Sequence, residues 1–231
     1  FTTVRDHAFP FIKTLGHRGE KDGEGGSTYS HHMKDALFMM PTPRVLASIV
    51  DQLDAIDMAD RDTKGDLYEY MLGKIASAGQ NGQFRTPRHI IQLMVDMVAP
   101  TPKDKICDPA CGTAGFLIAC SEYLHTHHSD TIYKDAAARR RFNEGTFHGY
   151  DFDSTMLRIG SMNMLLHGVE NPDIRYKDSL AQTDEADSEK YSLILANPPF
   201  AGSLDYESTA KDLLQIVKTK KTELLFMALF N

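Results

Sequence analysis

The sequence predicts an α/β protein with two domains, a helical amino-terminal domain at residues 1–82 and a domain built on a parallel sheet at residues 83–231. In the first domain the apolar residues recur at the spacing of a helix. In the second, short apolar stretches alternate with helical patterns, which is typical of parallel strands joined by helices that cover both faces of the sheet. Apolar residues make up 42% of the 231, which is enough for a hydrophobic core.

The amino-terminal domain is expected to be mostly helical. From Arg44 the apolar residues follow a helical period, and a second helix is expected over residues 66–78. The glycine- and charge-rich residues 16–30 predict an exposed loop. Thr86-Pro87 indicates the start of the next helix, because a hydroxyl group can cap it and proline fits its first position.

The second domain alternates strands with helices. Four strands are expected, at residues 104–108, 146–151, 173–178 and 191–196. Helices are expected at residues 114–127, 154–167 and 221–230, with an additional helix at residues 134–144. Residues 201–220 have no clear apolar period, which predicts a loop there.

Charge restricts the function. The formal net charge is −7, whereas a protein that grips DNA alone usually carries a basic face. Two basic clusters are each either a solvated face or a phosphate site. They are Arg139-Arg140-Arg141 and the group Lys218, Lys220 and Lys221.

The sequence has no run of 18 apolar residues and no signal-peptide pattern, so we expect a cytoplasmic protein without membrane contact. Its three cysteines match neither a zinc ribbon nor a disulfide framework. The group His125, His127 and His128 could hold a metal in principle, but a polar helix end is the favoured interpretation and no metal is expected. Because the chain begins at Phe1 and stops at Asn231 inside a helical pattern, we expect it to be a fragment.

The first candidate site is Asp-Pro-Ala-Cys-Gly-Thr-Ala-Gly-Phe at residues 108–116, directly after the first predicted strand. Ligands bind at the carboxyl ends of the strands in open α/β sheets. Gly112 and Gly115 would let the backbone turn sharply and approach a ligand, although a tight turn without a ligand would need them equally. The absence of Gly-x-Gly-x-x-Gly argues against a dinucleotide dehydrogenase.

Acidic residues follow the second predicted strand. Asp151 stands at its end, where a carboxylate can accept hydrogen bonds from both ribose hydroxyls of a nucleoside. For the neighbouring Asp153 we favour a helix cap.

The third candidate site is Asn197-Pro198-Pro199-Phe200, at the end of the fourth predicted strand. Two prolines end a strand ladder and leave the chain in a stiff, extended turn. The Asn197 side-chain oxygen and the Pro198 carbonyl could hold both hydrogens of an amino group on an aromatic ring. Phe200 would stack on that ring, a contact worth about 1–3 kcal/mol per base.

Taken together, these motifs resemble the modification subunits of Type I restriction-modification enzymes, which are adenine-specific DNA methyltransferases. The resemblance covers about residues 60–200, where four further stretches are similar to the family and follow in the family's order. These stretches are Gly-Asp-Leu-Tyr-Glu-Tyr at 65–70, Gln-Phe-Arg-Thr-Pro at 83–87, Met-Asn-Met-Leu-Leu-His-Gly at 162–168 and Asp-Ser-Leu at 178–180. Two positions depart from the family pattern, Ala114 where many relatives have glycine and Arg85 where tyrosine is common.

The resemblance implies a Rossmann-like methyltransferase sheet whose carboxyl part is missing here, and S-adenosylmethionine as the cofactor. It implies that Phe84, Thr86 and Pro87 line the methionine end of the cofactor. It also implies that Asp108, Ala110, Gly112 and Gly115 form the turn beneath it, that Asp151 takes the ribose, and that Asp178 lies near the cofactor adenine. Asn197, Pro198 and Phe200 would hold an adenine flipped out of DNA.

The implied partners are DNA, a specificity subunit, a second modification subunit and a restriction subunit. We therefore expect that the chain alone neither recognises a DNA sequence nor methylates it, and that the 201–220 loop is mobile without DNA. Two alternatives remain: an amino-methyltransferase acting on protein glutamine or RNA guanine, and a non-catalytic assembly module of the same fold.

Overall fold

The sheet contains four parallel strands. In the computed structural model they are β1 (Ile106–Asp108), β2 (Phe147–Asp151), β3 (Asp173–Tyr176) and β4 (Leu193–Ile194), in the order β3-β2-β1-β4. The described residues are 1–15, 27–57, 67–68, 70–72, 74, 86–181, 190–199 and 209–230. Ile106 of β1 pairs with Phe147 on one side and Leu193 on the other. The predicted parallel sheet is confirmed, with each strand shorter than expected.

Helices precede the sheet and connect its strands. After a π-helical turn at Val4–Ala8, the described part of the chain contains α1 (Phe9–Ile12), α2 (Thr28–Met33), α3 (Pro43–Asp54), α4 (Arg88–Val98), α5 (Gly115–Ile132), α6 (Ala136–Glu144), α7 (Ser154–Leu166), α8 (Lys211–Ile216) and α9 (Thr222–Leu229). The additional helix between the first connecting helix and the second strand is confirmed as α6. No described helix is both long enough and apolar enough to span a lipid bilayer.

One face of the sheet carries the main hydrophobic core. Val95 of α4, Leu117 of α5 and Met164 of α7 are fully buried there against Phe147. Burying side chains of this size stabilises the fold by about 1.5–3 kcal/mol each.

The opposite face of β2 and β3 is polar within the described residues. Successive side chains of a strand point to opposite faces, so His148 and Tyr150 point away from the core. His148 Nδ1 lies 2.9 Å from Asp173 Oδ2, and Arg175 Nη2 donates to the same carboxylate oxygen at 2.9 Å. The Tyr150 hydroxyl bonds to that of Tyr191. Polar and aromatic side chains therefore line this face of β2 and β3.

Side-chain caps explain where several helices begin. Thr42 accepts from Val45 N before α3, and Asp135 accepts from Ala138 N before α6. Asp153 accepts from Thr155 N at 2.7 Å, so its predicted capping role is confirmed. Thr86 does not cap α4, contrary to expectation: Pro87 itself is the N-cap residue, in an extended conformation with ψ 137°.

Two expectations for loops were partly wrong. Residues 28–30 belong to α2, because Ser27 caps that helix and Tyr29 is buried against α7. The rest of the expected loop, residues 16–26, lies outside the described residues, as does most of the predicted helix at 66–78. Residues 211–216 form α8, since Leu213 is buried in a second apolar cluster with Leu225.

Gly149 on β2 allows the tight packing beneath the site. A Cβ there would lie 2.7 Å from Ile174 Cδ1 and 3.0 Å from Cys111 Sγ.

Overpacking a dense core costs about 1–3 kcal/mol, so we expect Gly149→Ala to lower the free energy of unfolding of the full-length protein by that amount. Urea denaturation measures it. Gly145→Ala is the control, because its nearest contact would be 3.3 Å and a much smaller loss is expected; equal losses would contradict the packing argument.

Candidate functional site

The turn after β1 is tied to the neighbouring strand. Cys111 N donates to Tyr150 O at 2.9 Å, so the turn lies beside the end of β2. Gly112 has φ +50°, a left-handed conformation that glycine adopts without steric cost. A Cβ added to Gly112 would meet no atom of the described residues within 4 Å. The backbone is therefore sharply turned, and the described part of the chain leaves room beside the glycine.

Asp108 lies beneath this turn and is 2% exposed. Its Oδ1 accepts from Ala110 N at 3.1 Å. Burial raises the pKa of Asp108 to about 7; the hydrogen bond from Ala110 opposes the rise and the nearby charge of Asp151 adds to it. Near neutral pH this carboxyl group is partly protonated, because the charged form is poorly solvated there.

Asp151 holds two backbone segments together. Its Oδ2 accepts from Gly112 N at 3.0 Å, and its Oδ1 accepts from Asp153 N at 2.8 Å. Burial raises the pKa of Asp151, and these two hydrogen bonds oppose the rise. Each carboxylate oxygen has a second lone pair, so the group can still accept from a pair of vicinal hydroxyls.

Two residues of α7 support the turn from below. Gly160 lies under Gly112: a Cβ at residue 160 would be 3.0 Å from Gly112 O. The buried Asn163 donates from Nδ2 to Thr113 O at 2.9 Å. Sequence reasoning assigned neither residue a role. The available signal was their i, i+3 spacing, which puts both on one face of a helix.

The Asn-Pro-Pro segment leaves the sheet next to the same turn. Leu195 N donates to Cys107 O at 3.1 Å, which continues the pairing of β4 with β1 beyond Ile194. Asn197 and Pro198 follow and are half-buried. The structure thus brings the first and third predicted sites to adjacent strand ends.

Asp178 lies in a turn held against the end of β1. Ser179 Oγ donates to Pro109 O at 2.6 Å, and Lys177 N donates to Asp151 O at 3.0 Å. The Asp178 side chain is exposed, and its Oδ1 accepts from Leu180 N. The third strand therefore contributes a carboxylate to the same edge of the sheet.

The start of α4 lies against the start of α5. Ile91 Cδ1 would lie 3.3 Å from a Cβ at Gly115, so the first turn of α4 lies over the first turn of α5. Thr86 is half-buried and Pro87 exposed at the beginning of α4. Phe84 and Phe200 lie outside the described residues.

A family comparison agrees with this arrangement. Residues 59–231 match the N-6 DNA Methylase family. The chain belongs to this family. Together with the relatives described next, this match confirms the resemblance to modification subunits of Type I restriction enzymes.

Two similar proteins match the sequence along most of the chain. The chain is 31% identical to the methylase subunit of the type I restriction enzyme EcoEI of Escherichia coli, a match that covers 98% of this chain and 46% of that subunit. It is 30% identical to the methylase subunit of the type I restriction enzyme EcoKI of Escherichia coli K12, a match that covers 84% of this chain and 38% of that subunit. The chain spans about half the length, or less, of these relatives.

A solved structure is similar in fold. The crystal structure of a modification subunit assigned to a type I restriction enzyme of Vibrio vulnificus YJ016 superposes with a TM-score of 0.73 at 28% identity. The match covers 96% of this chain and 45% of that one. This likeness confirms the methyltransferase-type α/β fold.

Ala114, one of the two positions at which the sequence departs from the expected family pattern, has φ 65° and ψ 26° at the start of α5. A left-handed conformation costs an L-residue about 1–2 kcal/mol, so the substitution is not neutral for the backbone. Ala114 is fully buried, and its N donates to Cys111 O at 2.7 Å.

The arginine cluster of this methylase chain is engaged in local contacts. Arg139 pairs with Glu170 at 3.3 Å and Arg140 with Glu144 at 2.8 Å, while Arg141 donates to Lys103 O at 2.6 Å. Of the two interpretations, the solvated, locally paired face fits these contacts.

The histidine group lies along the last turns of α5. His125 stacks on Tyr133, and His127 and His128 lie against Tyr123. Among the described residues, no three His, Cys, Asp or Glu side chains come together in a way that could hold a metal ion.

The buried Asp108 predicts a pH effect on stability. With a pKa of about 7 when folded and about 3.9 when unfolded, the folded protein keeps a proton that the unfolded chain releases. The retained proton stabilises the folded state, and this contribution to the free energy of unfolding is fully present below about pH 4. As the pH rises to about 7 it is lost, which lowers the free energy of unfolding by up to roughly 4 kcal/mol. We expect Asp108→Asn, which keeps the acceptor for Ala110 N, to become progressively more stable than the wild type across that range.

Urea denaturation of the full-length protein at several pH values measures this difference. Asp130→Asn, at an exposed carboxyl on α5, serves as the control and should run parallel to the wild type. A constant difference between Asp108→Asn and the wild type from pH 4 to pH 8 would contradict a raised pKa.

Proposed function

We propose that this chain is the part of an adenine-specific DNA methyltransferase that carries both the cofactor site and the target-base site. In this proposal residues 83–231 belong to the catalytic domain and residues 1–82 to a helical domain. The methyl group goes from S-adenosylmethionine to the 6-amino group of adenine.

The observation that carries the proposal is the position of two turns on adjacent strands. The Gly112 turn follows β1 and Asn197 follows β4, and these strands pair in parallel. Because their carboxyl ends lie at one edge, a donor above the first turn can face a base held by the second. Positioning of this kind is the main task of the protein when the electrophile is already activated.

The residues around the Gly112 turn fit a nucleoside-containing cofactor. The described residues leave room beside the glycine, and Asp151 keeps lone pairs for ribose hydroxyls while it holds Gly112 N. S-adenosylmethionine would supply an activated methyl group. We assign Asp108, Ala110, Gly112 and Gly115 to the turn beneath it, Asp178 to the neighbourhood of its adenine, and Phe84, Thr86 and Pro87 to its methionine end.

At the target base the chain supplies acceptors. The lone pair of an aromatic amino group is delocalised into the ring, so the nitrogen is a weak nucleophile. Asn197 Oδ1 and Pro198 O would accept its two hydrogens and orient the lone pair toward the donor. Phe200 would stack on the ring, and the adenine must first leave the DNA stack.

The whole enzyme would act as the modification subunit of a Type I restriction-modification complex. The relatives described above are methylase subunits of type I restriction enzymes. We therefore propose DNA, a specificity subunit, a second modification subunit and a restriction subunit as partners, in the cytoplasm. The net charge of −7 agrees with a chain that relies on partners for much of its DNA affinity.

Asn197→Ala tests the target-base site. Removing one placed acceptor at the reacting nitrogen should cost about 3 kcal/mol or more, by analogy with the loss of one oxyanion-site donor. We expect the complete enzyme to lose at least a hundredfold in methyl transfer from labelled S-adenosylmethionine while its cofactor affinity stays almost unchanged. Asn171→Ala is the matched control, because Asn171 bonds to Thr28 away from the site. More than half of the wild-type turnover in Asn197→Ala would refute the assignment.

Asp151→Ala tests the cofactor site. It removes the acceptor for Gly112 N and, in this proposal, for the ribose; charge-assisted hydrogen bonds are worth about 1.5–3 kcal/mol each. Calorimetry should show more than a tenfold loss of S-adenosylmethionine affinity and a smaller change in DNA affinity. Asp153→Ala removes the nearby helix cap and should reduce stability while leaving cofactor affinity within threefold. A loss below threefold in Asp151→Ala would argue against the ribose role.

A further inference from the structure

The second basic cluster of the sequence forms a turn between α8 and α9. Lys218, Lys220 and Lys221 lie within four residues, and all three are exposed. We call residues 218–221 the lysine turn. The sequence alone left it as either a solvated face or a phosphate site.

The lysine turn is fixed at both ends. On one side Val217 packs against the apolar cluster that contains Leu213 and Leu225, and on the other Thr222 is buried. Within the turn, Thr219 N donates to Val217 O at 3.2 Å and Lys221 N donates to Thr219 Oγ1 at 3.1 Å. An ordered turn with exposed cations holds its charges in place, so less conformational entropy is lost when an anion binds.

One hydrogen bond connects this turn to the Asn-Pro-Pro segment. Thr222 Oγ1, directly after Lys221, donates to Pro199 O at 3.1 Å. Pro199 is two residues beyond Asn197. The apolar cluster under the lysine turn also touches Ala110, next to Asp108. The lysines therefore border the edge of the sheet at which both proposed sites lie.

The charges at this edge make the lysines distinctive. The site itself carries the carboxylates of Asp151 and Asp178, which would repel phosphate groups. Residues 218–223 contain these three lysines and a single acidic residue, Glu223. Positive charge therefore remains in excess along this segment.

We infer that Lys218, Lys220 and Lys221 contact backbone phosphates of the DNA strand that carries the target adenine, beside the flipped base. This inference rests on the proposed function and names a surface by which the chain holds its substrate. A lysine ammonium that neutralises a phosphate releases condensed counterions, so each contact adds to affinity and to its salt dependence. Such contacts fix the register of the duplex without reading its sequence.

The test uses the complete modification complex carrying Lys218→Gln, Lys220→Gln and Lys221→Gln together. The matched control is Lys103→Gln, Lys105→Gln and Lys134→Gln, which changes the charge equally; these lysines are exposed, and Lys103 and Lys105 precede β1 at the opposite edge of the sheet. Methyl transfer to unmodified genomic DNA is measured between 50 and 200 mM NaCl, with KM determined for DNA and for S-adenosylmethionine.

We expect the lysine-turn variant to raise KM for DNA at least tenfold and to leave KM for S-adenosylmethionine unchanged. The slope of log KM for DNA against log salt should fall by about 2 to 3, since each lost phosphate contact removes roughly 0.7–0.9. The control should keep the wild-type slope. Replacing the three lysines by arginine should restore it.

Three outcomes would overturn the inference. An active wild type together with an unchanged slope in the lysine-turn variant would refute the phosphate contacts and leave the proposed function intact. Failure of the variant to assemble with its partner subunits in size-exclusion chromatography would assign the lysines to an acidic protein surface. A wild-type complex that transfers no methyl group to DNA would refute the proposed function, and the inference with it.

Discussion

The carboxylate of Asp151 is the interaction on which the site depends. Its two oxygens hold Gly112 N, in the turn after β1, and Asp153 N, just before α7. One side chain at the end of β2 thus fixes the geometry of two neighbouring connections. Without it, the backbone amide at the sharpest point of the first turn would lose its partner, and an unpaired amide is costly away from water.

Other contacts extend this arrangement to the whole carboxyl edge of the sheet. Asn163 supports the turn from α7, and Ser179 brings the connection after β3 against Pro109. Thr222 binds Pro199 from the far end of the chain. Parallel strands bring their ends to one edge, but these polar contacts between connections fix the relative positions of the turns. Residues distant in sequence are thereby placed where a cofactor and a base could meet.

Much of the fold could be predicted from the sequence, because the spacing of apolar residues shows which side of a helix or strand is buried. The four strands and the helices α5 and α7 were predicted from short apolar stretches and helical spacing, α6 was predicted as an additional helix, and Asp153 was predicted as a cap from its residue type. Each failure has its own physical cause. Thr86 has the chemistry of a cap, yet Pro87 takes that position, and Tyr29 is buried by contact with α7, which no local pattern shows.

The site was predictable in part. Asp108, Gly112, Asp151 and Asn197 carried recognisable chemistry at predicted strand ends. Gly160 and Asn163 did not, because their roles depend on α7 packing under a turn some 50 residues earlier in the chain. The lysine turn was visible as charge, but its position beside Pro199 required the tertiary fold.

Ala114 has a further consequence for the turn. Alanine in a left-handed conformation carries strain of about 1–2 kcal/mol, but it also restricts the unfolded chain more than glycine would, which offsets roughly 0.4–1 kcal/mol. The fully buried methyl group lies 3.6 Å from a Cβ position at Gly160, so the residue has little room to change conformation. The turn is therefore stiffer than a glycine-rich equivalent. A ligand that binds over it meets a preorganised surface and loses less entropy in ordering the chain.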